Sequence, residues 1–476
     1  MKCRYGLSWG GTFFDEKFLV TNNLSQKMII GGDVLRKNKI DILFSNREIR
    51  LNGTKIPMIT VGSETIESVT EEFRPSDLVC IDTDRLNPTE VSELKALLNR
   101  YPDVFSRNDE DIGESDFIHR IELTSYSPVK SRAYRIPHAQ KSMVEAEVIK
   151  MLRMGVIQRT RSDWSSPVVL VKKKDDSIRF CTDFRKLNAI TVKDNYPLPL
   201  IEEKLESFKD KEFFSSLDMT YGYWQFLVDP KARKLTTFVC HMGAYEYVRM
   251  PFGLCNAGAT FQRAMEGVLE DLPNSSAYID DVLTASKSFS EHLQDLESVF
   301  SRLQQSKLKV KPRKCNFGFR ETKFLGFIIS KDGIRVDPSR EECIRNYPTP
   351  KNAKNVRQFL GLASYYRKFI KSFATIADPL TRLTHKKINF HWDSRCESAF
   401  RKLIKCLLHT PILIFPDFNR QFRLSTDASN CGLGAVLSQV NDNGEEQVVA
   451  YASRTLNSAE RNYTTTELEL LAIVWA

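Results

Sequence analysis

Two adjacent aspartates set between apolar strand-forming residues constrain this chain more than any other feature. Asp280 and Asp281 follow Tyr-Ile and precede Val-Leu in residues 278–283, a pattern that predicts the tip of a β-hairpin. Two carboxylates held this close together raise each other's pKa, and a bound divalent cation removes that cost. Asp218 ends a second apolar strand, residues 213–218, and supplies a third carboxylate for a site holding two Mg²⁺. Taken alone, an Asp pair is more often a turn, so the interpretation depends on the motifs around it.

The composition is that of a folded multidomain protein with a modest basic excess. Across 476 residues, a hydrophobic content of 42% and an aromatic content of 11% favour several folded cores over disorder. The net charge of +9 is compatible with a polyanionic partner and does not require one. The ten cysteines are scattered without a Cys-x-x-Cys pair, which argues against disulfide and zinc frameworks and fits a reducing compartment. No signal peptide or apolar run of membrane-spanning length is present.

Local periodicity places several elements around the Asp pair. Apolar residues at Val144, Val148 and Met151 predict an amphipathic helix that ends near Gly155. Ser288 precedes a Glu by three residues and so predicts the N-cap of another helix. These helices are expected to contribute packing and not chemistry.

The motifs on both sides of the Asp pair match one family. Residues 183–188 are Asp-Phe-Arg-Lys-Leu-Asn, residues 250–257 are Met-Pro-Phe-Gly-Leu-Cys-Asn-Ala, and residues 260–263 are Thr-Phe-Gln-Arg. Together with Leu-Asp at 217–218 and Tyr-Ile-Asp-Asp at 278–281, they resemble the reverse transcriptases of Ty3/gypsy-type LTR retrotransposons. The resemblance extends over nearly the whole chain, which therefore looks like a fragment of a Pol polyprotein.

The resemblance implies an α+β multidomain architecture. Its centre is a right-hand polymerase with fingers, palm and thumb. This is preceded by a strand-rich retropepsin remnant, indicated by Gly-Gly-Asp at residues 31–33, and followed by a truncated ribonuclease H-like α/β domain. An unrelated β-hairpin block is the alternative for the N-terminal part. The expected segments are retropepsin-like (1–65), linker (66–118), fingers and palm (119–335), thumb and connection (336–414), and ribonuclease H-like (415–476).

The resemblance also implies roles for charged side chains in the polymerase site. Asp218, Asp280 and Asp281 are expected to be the catalytic acids and the ligands of two Mg²⁺, with Mn²⁺ as an alternative ion. Asp280 is expected to be a stronger ligand than Asp281. Lys173 and Arg179 are expected to bind the nucleotide triphosphate, although a Lys run is also typical of a solvated surface.

Further residues are expected to contact the nucleotide sugar, the primer and the template. By the resemblance, Tyr223 excludes a ribose 2′-hydroxyl and so selects dNTPs, with an ordinary core tyrosine as the alternative. Phe252 is expected to pack against the incoming nucleotide. Gln262 is expected to orient the template or the palm, and the turn at Leu325 and Gly326 to form the primer grip.

The C-terminal residues resemble part of a second two-metal site. Asp427 matches the first acid of a ribonuclease H, and Glu469 matches the acid on its helix, whereas Glu467 is interpreted as a helix-capping residue. Because the sequence stops at Ala476 within that helix, effective ribonuclease H activity is not expected of this chain. Protease activity is not expected either, because the catalytic Asp-Ser/Thr-Gly triplet of a retropepsin is absent.

The sequence therefore predicts an RNA-directed DNA polymerase whose partners are an RNA template, a DNA primer, RNA–DNA hybrid and dNTPs, with no membrane. A cytoplasmic location is expected, with virus-like particles and the nucleus left open, and the oligomeric state is not indicated. One alternative is a decayed or domesticated fragment that binds nucleic acid without turnover. An RNA-dependent RNA polymerase is disfavoured by Tyr223 and by the ribonuclease H-like block.

Overall fold

A computed structural model describes residues 2–9, 12–19, 40–43, 48–51, 54–57, 73–172, 178–385 and 388–476. The chain divides into two compact units, Met1–Glu72 and Phe73–Ala476. The described strands of the first unit form an antiparallel pair, β1–β2, and an antiparallel meander, β3–β4–β5. Their bounds are β1 Lys2–Trp9, β2 Thr12–Leu19, β3 Ile40–Leu43, β4 Glu48–Leu51 and β5 Thr54–Pro57. The Gly-Gly-Asp element at 31–33 lies outside the described residues.

The second unit contains the remaining strands and the helices. Its strands are β6 Cys80–Ile81, β7 Ile118–His119, β8 Ile157–Arg159, β9 Ser166–Lys172, β10 Ile178–Thr182, β11 Phe213–Asp218, β12 Leu227–Val228, β13 Phe238–Cys240, β14 Gly243–Tyr247, β15 Ser275–Tyr278, β16 Asp281–Ser286, β17 Asn316–Phe319, β18 Glu321–Phe324, β19 Phe327–Ser330, β20 Gly333–Val336, β21 Phe422–Ala428, β22 Gly432–Val440 and β23 Glu446–Thr455. Its helices are α1 Pro88–Arg100, α2 His138–Arg153, α3 Arg185–Ile190, α4 Ile201–Glu206, α5 Ala257–Val268, α6 Phe289–Gln305, α7 Glu341–Arg345, α8 Ala353–Tyr365, α9 Phe373–Arg382, α10 Ser394–Leu408 and α11 Thr465–Trp475.

The palm is built on a five-stranded sheet in the order β15–β16–β11–β17–β6. Its edge strand β6 pairs in parallel with β17, and Leu94, Leu97 and Leu98 of α1 are buried in the same core as Phe300 of α6. Residues from 73 onward, predicted to belong to a linker, are therefore part of the palm. The acidic, polar composition of this segment is typical of a linker and gave no sign of a buried helix. The leucines of α1 all lie on one face of the helix, and that face is buried.

The fingers contain a second sheet in the order β10–β9–β13–β14–β8. Helix α2 buries the predicted residues Val144, Val148 and Met151, and Gly155 follows it with φ +65°. Ser288 accepts a hydrogen bond from the Glu291 backbone and begins α6, as its spacing predicted.

The segments expected to form the thumb and connection pack around a second core, to which β18–β20 and helices α7 to α10 contribute. Phe214, Leu283 and Ala285 of the palm sheet belong to the same core. The last block is an antiparallel sheet, β21–β22–β23, with α11 against β21 and a small core of Leu433, Leu456, Leu468 and Ala472. The expected mixed α and β multidomain fold is thus confirmed. Among the described helices, none has both the length and the apolar character needed to cross a membrane.

Candidate active site

The Asp pair lies at a strained hairpin turn that a buried glutamine supports. Ile279 connects β15 to the Asp pair with φ +52°, a conformation that is unfavourable for a β-branched residue. Gln262 of α5 accepts a hydrogen bond from the Ile279 backbone N–H at 2.8 Å and donates one to the Ala277 carbonyl at 3.0 Å. Gln262 is fully buried, and these two hydrogen bonds hold the backbone of the hairpin at its turn and just before it.

The register of the palm sheet brings the three aspartates together. Asp218 is directly opposite Asp281 across β11 and β16. Like charges in this position destabilise a sheet. Burial, then Asp218 and Asp281, raise the pKa of Asp280 to about 6. The pKa of Asp281 is also raised, first by partial desolvation and then by Asp218.

The surroundings of Asp280 leave one carboxylate oxygen without a partner. Its Oδ1 atom is buried and makes no hydrogen bond. A Cβ added at Gly222 would lie 2.3 Å from that oxygen, so glycine is needed to keep the space beside it. An unpaired buried carboxylate oxygen with neighbouring acids is the donor chemistry that a hard divalent cation requires.

A lysine occupies the side of the site nearest Asp218. Lys314 Nζ lies 3.0 Å from Oδ2 and 3.2 Å from Oδ1 of Asp218. Among residues 73–172, 178–385 and 388–476, no three His, Cys, Asp or Glu side chains are arranged closely enough to hold a metal ion as they stand. In the structure the Asp218 carboxylate is instead held in an ion pair with Lys314.

An aromatic floor adjoins the aspartates. The Tyr223 ring lies 4.9 Å from the ring of Phe252 and 5.4 Å from that of Phe261, measured between centroids. Burial, together with Asp280, raises the pKa of Tyr223 to about 12, so its hydroxyl keeps its proton at neutral pH. Tyr223 is half-buried and Phe252 is 49% exposed, which leaves an apolar surface facing solvent next to the acids.

The other predicted site residues lie on separate elements of the fold. Arg179 is exposed on β10, opposite Val171 of β9, whereas Lys173 lies outside the described residues. Leu325 and Gly326 form the turn between β18 and β19, and β18 packs against β11, the strand that carries Asp218.

Gln225 has a role that sequence reasoning did not assign. Its side-chain amide donates to the carbonyls of Thr220 and Lys309 at 2.8 Å each, and its Oε1 accepts from the Lys309 N–H at 2.7 Å. These hydrogen bonds join the segment that follows Asp218 to the segment around Lys309. Lys314 was also missed. No local sequence pattern distinguishes Gln225 or Lys314, because their partners Lys309 and Asp218 lie more than 80 positions away in the chain.

The ribonuclease H-like acids have a different setting. Asp427 is exposed on β21 opposite Gly434, and Glu469 is half-buried on α11, the helix that packs on that strand. Glu467 and Thr464 form a reciprocal capping box at the start of α11, which confirms the interpretation of Glu467 as a capping residue.

Comparisons with known proteins agree with this architecture. The family described as reverse transcriptase (RNA-dependent DNA polymerase) matches residues 171–329, and the RNase H-like domain found in reverse transcriptase matches residues 392–476. The foamy viral protease-reverse transcriptase, solved in complex with an RNA/DNA hybrid, superposes with a TM-score of 0.73 at 23% identity, over 89% of this chain and 56% of that one. The chain therefore has the fold of a reverse transcriptase with an RNase H-like domain. The reverse transcriptase family as a whole depends on a divalent metal.

Curated relatives of this chain are Pol polyproteins of transposons. The Pol polyprotein of transposon 297 from Drosophila melanogaster is 38% identical over 471 residues, which are 94% of this chain and 44% of the relative. That of transposon gypsy from the same organism is 38% identical over 482 residues, 96% of this chain and 45% of the relative. The chain is thus a homologue of the Pol polyproteins of Ty3/gypsy-type transposons, and it spans about half the length of these curated relatives.

Proposed function

We propose that this chain is an RNA-directed DNA polymerase that transfers nucleotides from dNTPs to the 3′-hydroxyl of a primer paired with an RNA template. The observation that carries the proposal is the convergence of Asp218, Asp280 and Asp281 beside an apolar floor formed by Tyr223 and Phe252. The unpaired Oδ1 of Asp280 supports it, since a buried anionic oxygen without a partner is costly unless a cation binds.

The three aspartates are assigned as ligands of two Mg²⁺, with Mn²⁺ as the alternative. All of their donor atoms are hard oxygens, which Mg²⁺ prefers. When bound, such ions activate the attacking hydroxyl and stabilise the leaving pyrophosphate. Lys314 pairs with Asp218 in the structure, and it would have to release this carboxylate for Asp218 to hold a metal ion.

Other residues bind and orient the substrates in this proposal. Tyr223 lies under the sugar of the incoming dNTP and obstructs a 2′-hydroxyl, and Phe252 packs against the nucleotide. Arg179, exposed on the fingers hairpin, adds positive charge for the triphosphate. Gln262 holds the hairpin that carries Asp280 and Asp281.

The partners proposed are an RNA template, a DNA primer and their hybrid. The foamy viral protease-reverse transcriptase was solved with an RNA/DNA hybrid, and the excess of basic residues in this chain fits such a polyanion. The relationship to transposon Pol polyproteins supports the cytoplasm, including virus-like particles, as the place where the protein acts.

The deciding experiment is primer extension on poly(rA)–oligo(dT) with dTTP and Mg²⁺, repeated with Mn²⁺. The wild-type chain should extend the primer, whereas Asp218→Asn should bind the duplex with similar affinity and fail to extend it. Binding by the wild-type chain without extension under either ion would favour the alternative of a nucleic-acid-binding fragment without turnover. Equal extension by Asp218→Asn would contradict the metal assignment.

A further inference from the structure

The turn assigned to the primer grip has an unusual backbone. Leu325 and Gly326 connect β18 to β19 with φ values of +50° and +82°. Two successive positive φ values are typical of a tight two-residue hairpin turn, and they are unfavourable for leucine. A Cβ added at Gly326 would lie 2.9 Å from Nη2 of Arg340, so protein atoms already occupy this side of the glycine. Something outside the turn must stabilise it in this conformation.

Two consecutive tyrosines at the end of α8 bond to both carbonyls of the turn. Tyr365 Oη donates to the Leu325 carbonyl at 2.6 Å, and Tyr366 Oη donates to the Gly326 carbonyl at 3.4 Å. The two rings are perpendicular, with centroids 5.0 Å apart, so neighbouring residues reach neighbouring carbonyls. The helix that carries them belongs to the thumb, 40 residues further along the chain.

The two tyrosines differ in exposure. Tyr366 is fully buried, whereas Tyr365 is 40% exposed and stacks on Phe327, the first residue after the turn, with centroids 5.3 Å apart. Burial raises the pKa of Tyr365, and Tyr366 and Tyr278 of the catalytic hairpin raise it further. Tyr365 therefore lies between the turn and the solvent.

We propose that Tyr365 is a positioning residue that fixes the Leu325–Gly326 turn, and with it the 3′ end of the primer, relative to the catalytic aspartates. This inference rests on the proposed polymerase function. Tyr366 anchors the same turn from the buried side. A turn that needs two external hydrogen bonds to hold positive φ values shifts when one is lost, and small displacements of a reacting group reduce turnover strongly.

The test is Tyr365→Phe, which removes the hydroxyl and keeps the ring on Phe327. Single-turnover extension at saturating dTTP should fall on the order of tenfold, while affinity for poly(rA)–oligo(dT) changes less than about twofold. A primer whose 3′-terminal 2-aminopurine is paired with uracil of a mixed-sequence RNA template reports the environment of that base directly, and its fluorescence in the complex should differ between the variant and the wild type.

Tyr347→Phe is the matched control, because Tyr347 is a thumb tyrosine whose ring packs on Phe359 with centroids 5.2 Å apart, whereas the hydrogen bonds to the turn come from Tyr365 and Tyr366. Its extension rate and 2-aminopurine signal should equal those of the wild type. An unchanged rate and signal in Tyr365→Phe would overturn the proposal, as would an equal loss in the control. If the wild-type chain does not extend primers, the polymerase proposal fails, and the 2-aminopurine signal still decides whether Tyr365 positions a bound primer end.

Discussion

The palm and the ribonuclease H-like block carry the same kind of acid in contrasting surroundings. In the palm, Asp280 is half-buried, one of its oxygens has no partner, and Asp218 and Asp281 lie beside it. In the last block, Asp427 is exposed on a strand whose other residues are also largely exposed, and Glu469 lies on a helix where Val474 is 84% exposed.

The two sets of acids therefore both match their motifs and differ in their surroundings. What distinguishes the palm is the set of supports behind its acids: the glutamine under the hairpin, the glycine beside Asp280 and the register of β11 with β16. Such supports make close acids costly in the absence of a cation and favourable in its presence. The predictions below test whether this contrast in surroundings is also a contrast in function and stability.

The largest expected difference is between Asp280→Asn and Asp427→Asn. Asp280→Asn should reduce primer extension by at least about a thousandfold, because it removes a charge that the metals require. Asp427→Asn should leave extension unchanged. In the absence of divalent cations, Asp280→Asn should raise the melting temperature, since it removes a buried charge close to two others, whereas Asp427→Asn should not. Equal effects of the two variants would remove the distinction between the regions.

The aromatic floor should determine sugar selection at the palm site. Tyr223→Val should lower the discrimination between dTTP and UTP by about 10- to 100-fold, because specificity of this kind comes from a steric clash. Tyr223→Phe keeps the ring and should retain the discrimination. The measurement is the ratio of kcat/KM values for the two nucleotides. Unchanged selectivity in the valine variant would mean that Tyr223 is a core residue only.

A buried histidine of the palm should lose its stabilising effect on acidification. His292 is bonded to Ser215 and Ser286 at 2.7 and 3.0 Å, and burial lowers its pKa to about 3. The unfolded chain takes up this proton near pH 6.5 and the folded chain does not, so stability is lost as the pH falls from 6.5 toward 3. Residues 415–476 contain no histidine.

At pH 5 the contribution of His292 is a loss of about 2 kcal/mol in the free energy of unfolding. Urea unfolding of the wild type and of His292→Gln at pH 7 and pH 5 measures it, and the glutamine variant should lose less stability on acidification. Parallel pH dependence in the two proteins would contradict the assignment.

The smallest expected effect concerns the last helix. Thr464→Ala removes the N-cap of α11 and should cost about 1 kcal/mol locally. Amide hydrogen exchange should become faster in residues 465–475 and stay unchanged in β11 and β16. Even in the wild type, amides of β21–β23 should exchange faster than those of the palm sheet, since the last block has a small core. Slower exchange there than in the palm would reverse the predicted order of stability.

Much of the fold and of the candidate site could be predicted from local sequence patterns. The Tyr-Ile-Asp-Asp hairpin, the strand ending at Asp218, helix α2 with its glycine end, and the capping residues Ser288 and Glu467 all lie where the sequence placed them. These features depend on periodicity, turn chemistry and capping within a few residues, so the chain encodes them before any long-range contact forms.

Only the tertiary structure decided which distant residues support these elements. Strand β6 and helix α1 join the palm, Gln262 turns inward to the hairpin backbone, Lys314 pairs with Asp218, and Tyr365 reaches back to Leu325. Each of these contacts joins backbone or charged atoms on separate elements, and no local period marks either partner. The sequence by itself determined the acids and the strands and turns that carry them. The packing of those elements decided which residues hold the acids in place, because the supporting hydrogen bonds and ion pairs form only after the chain has folded.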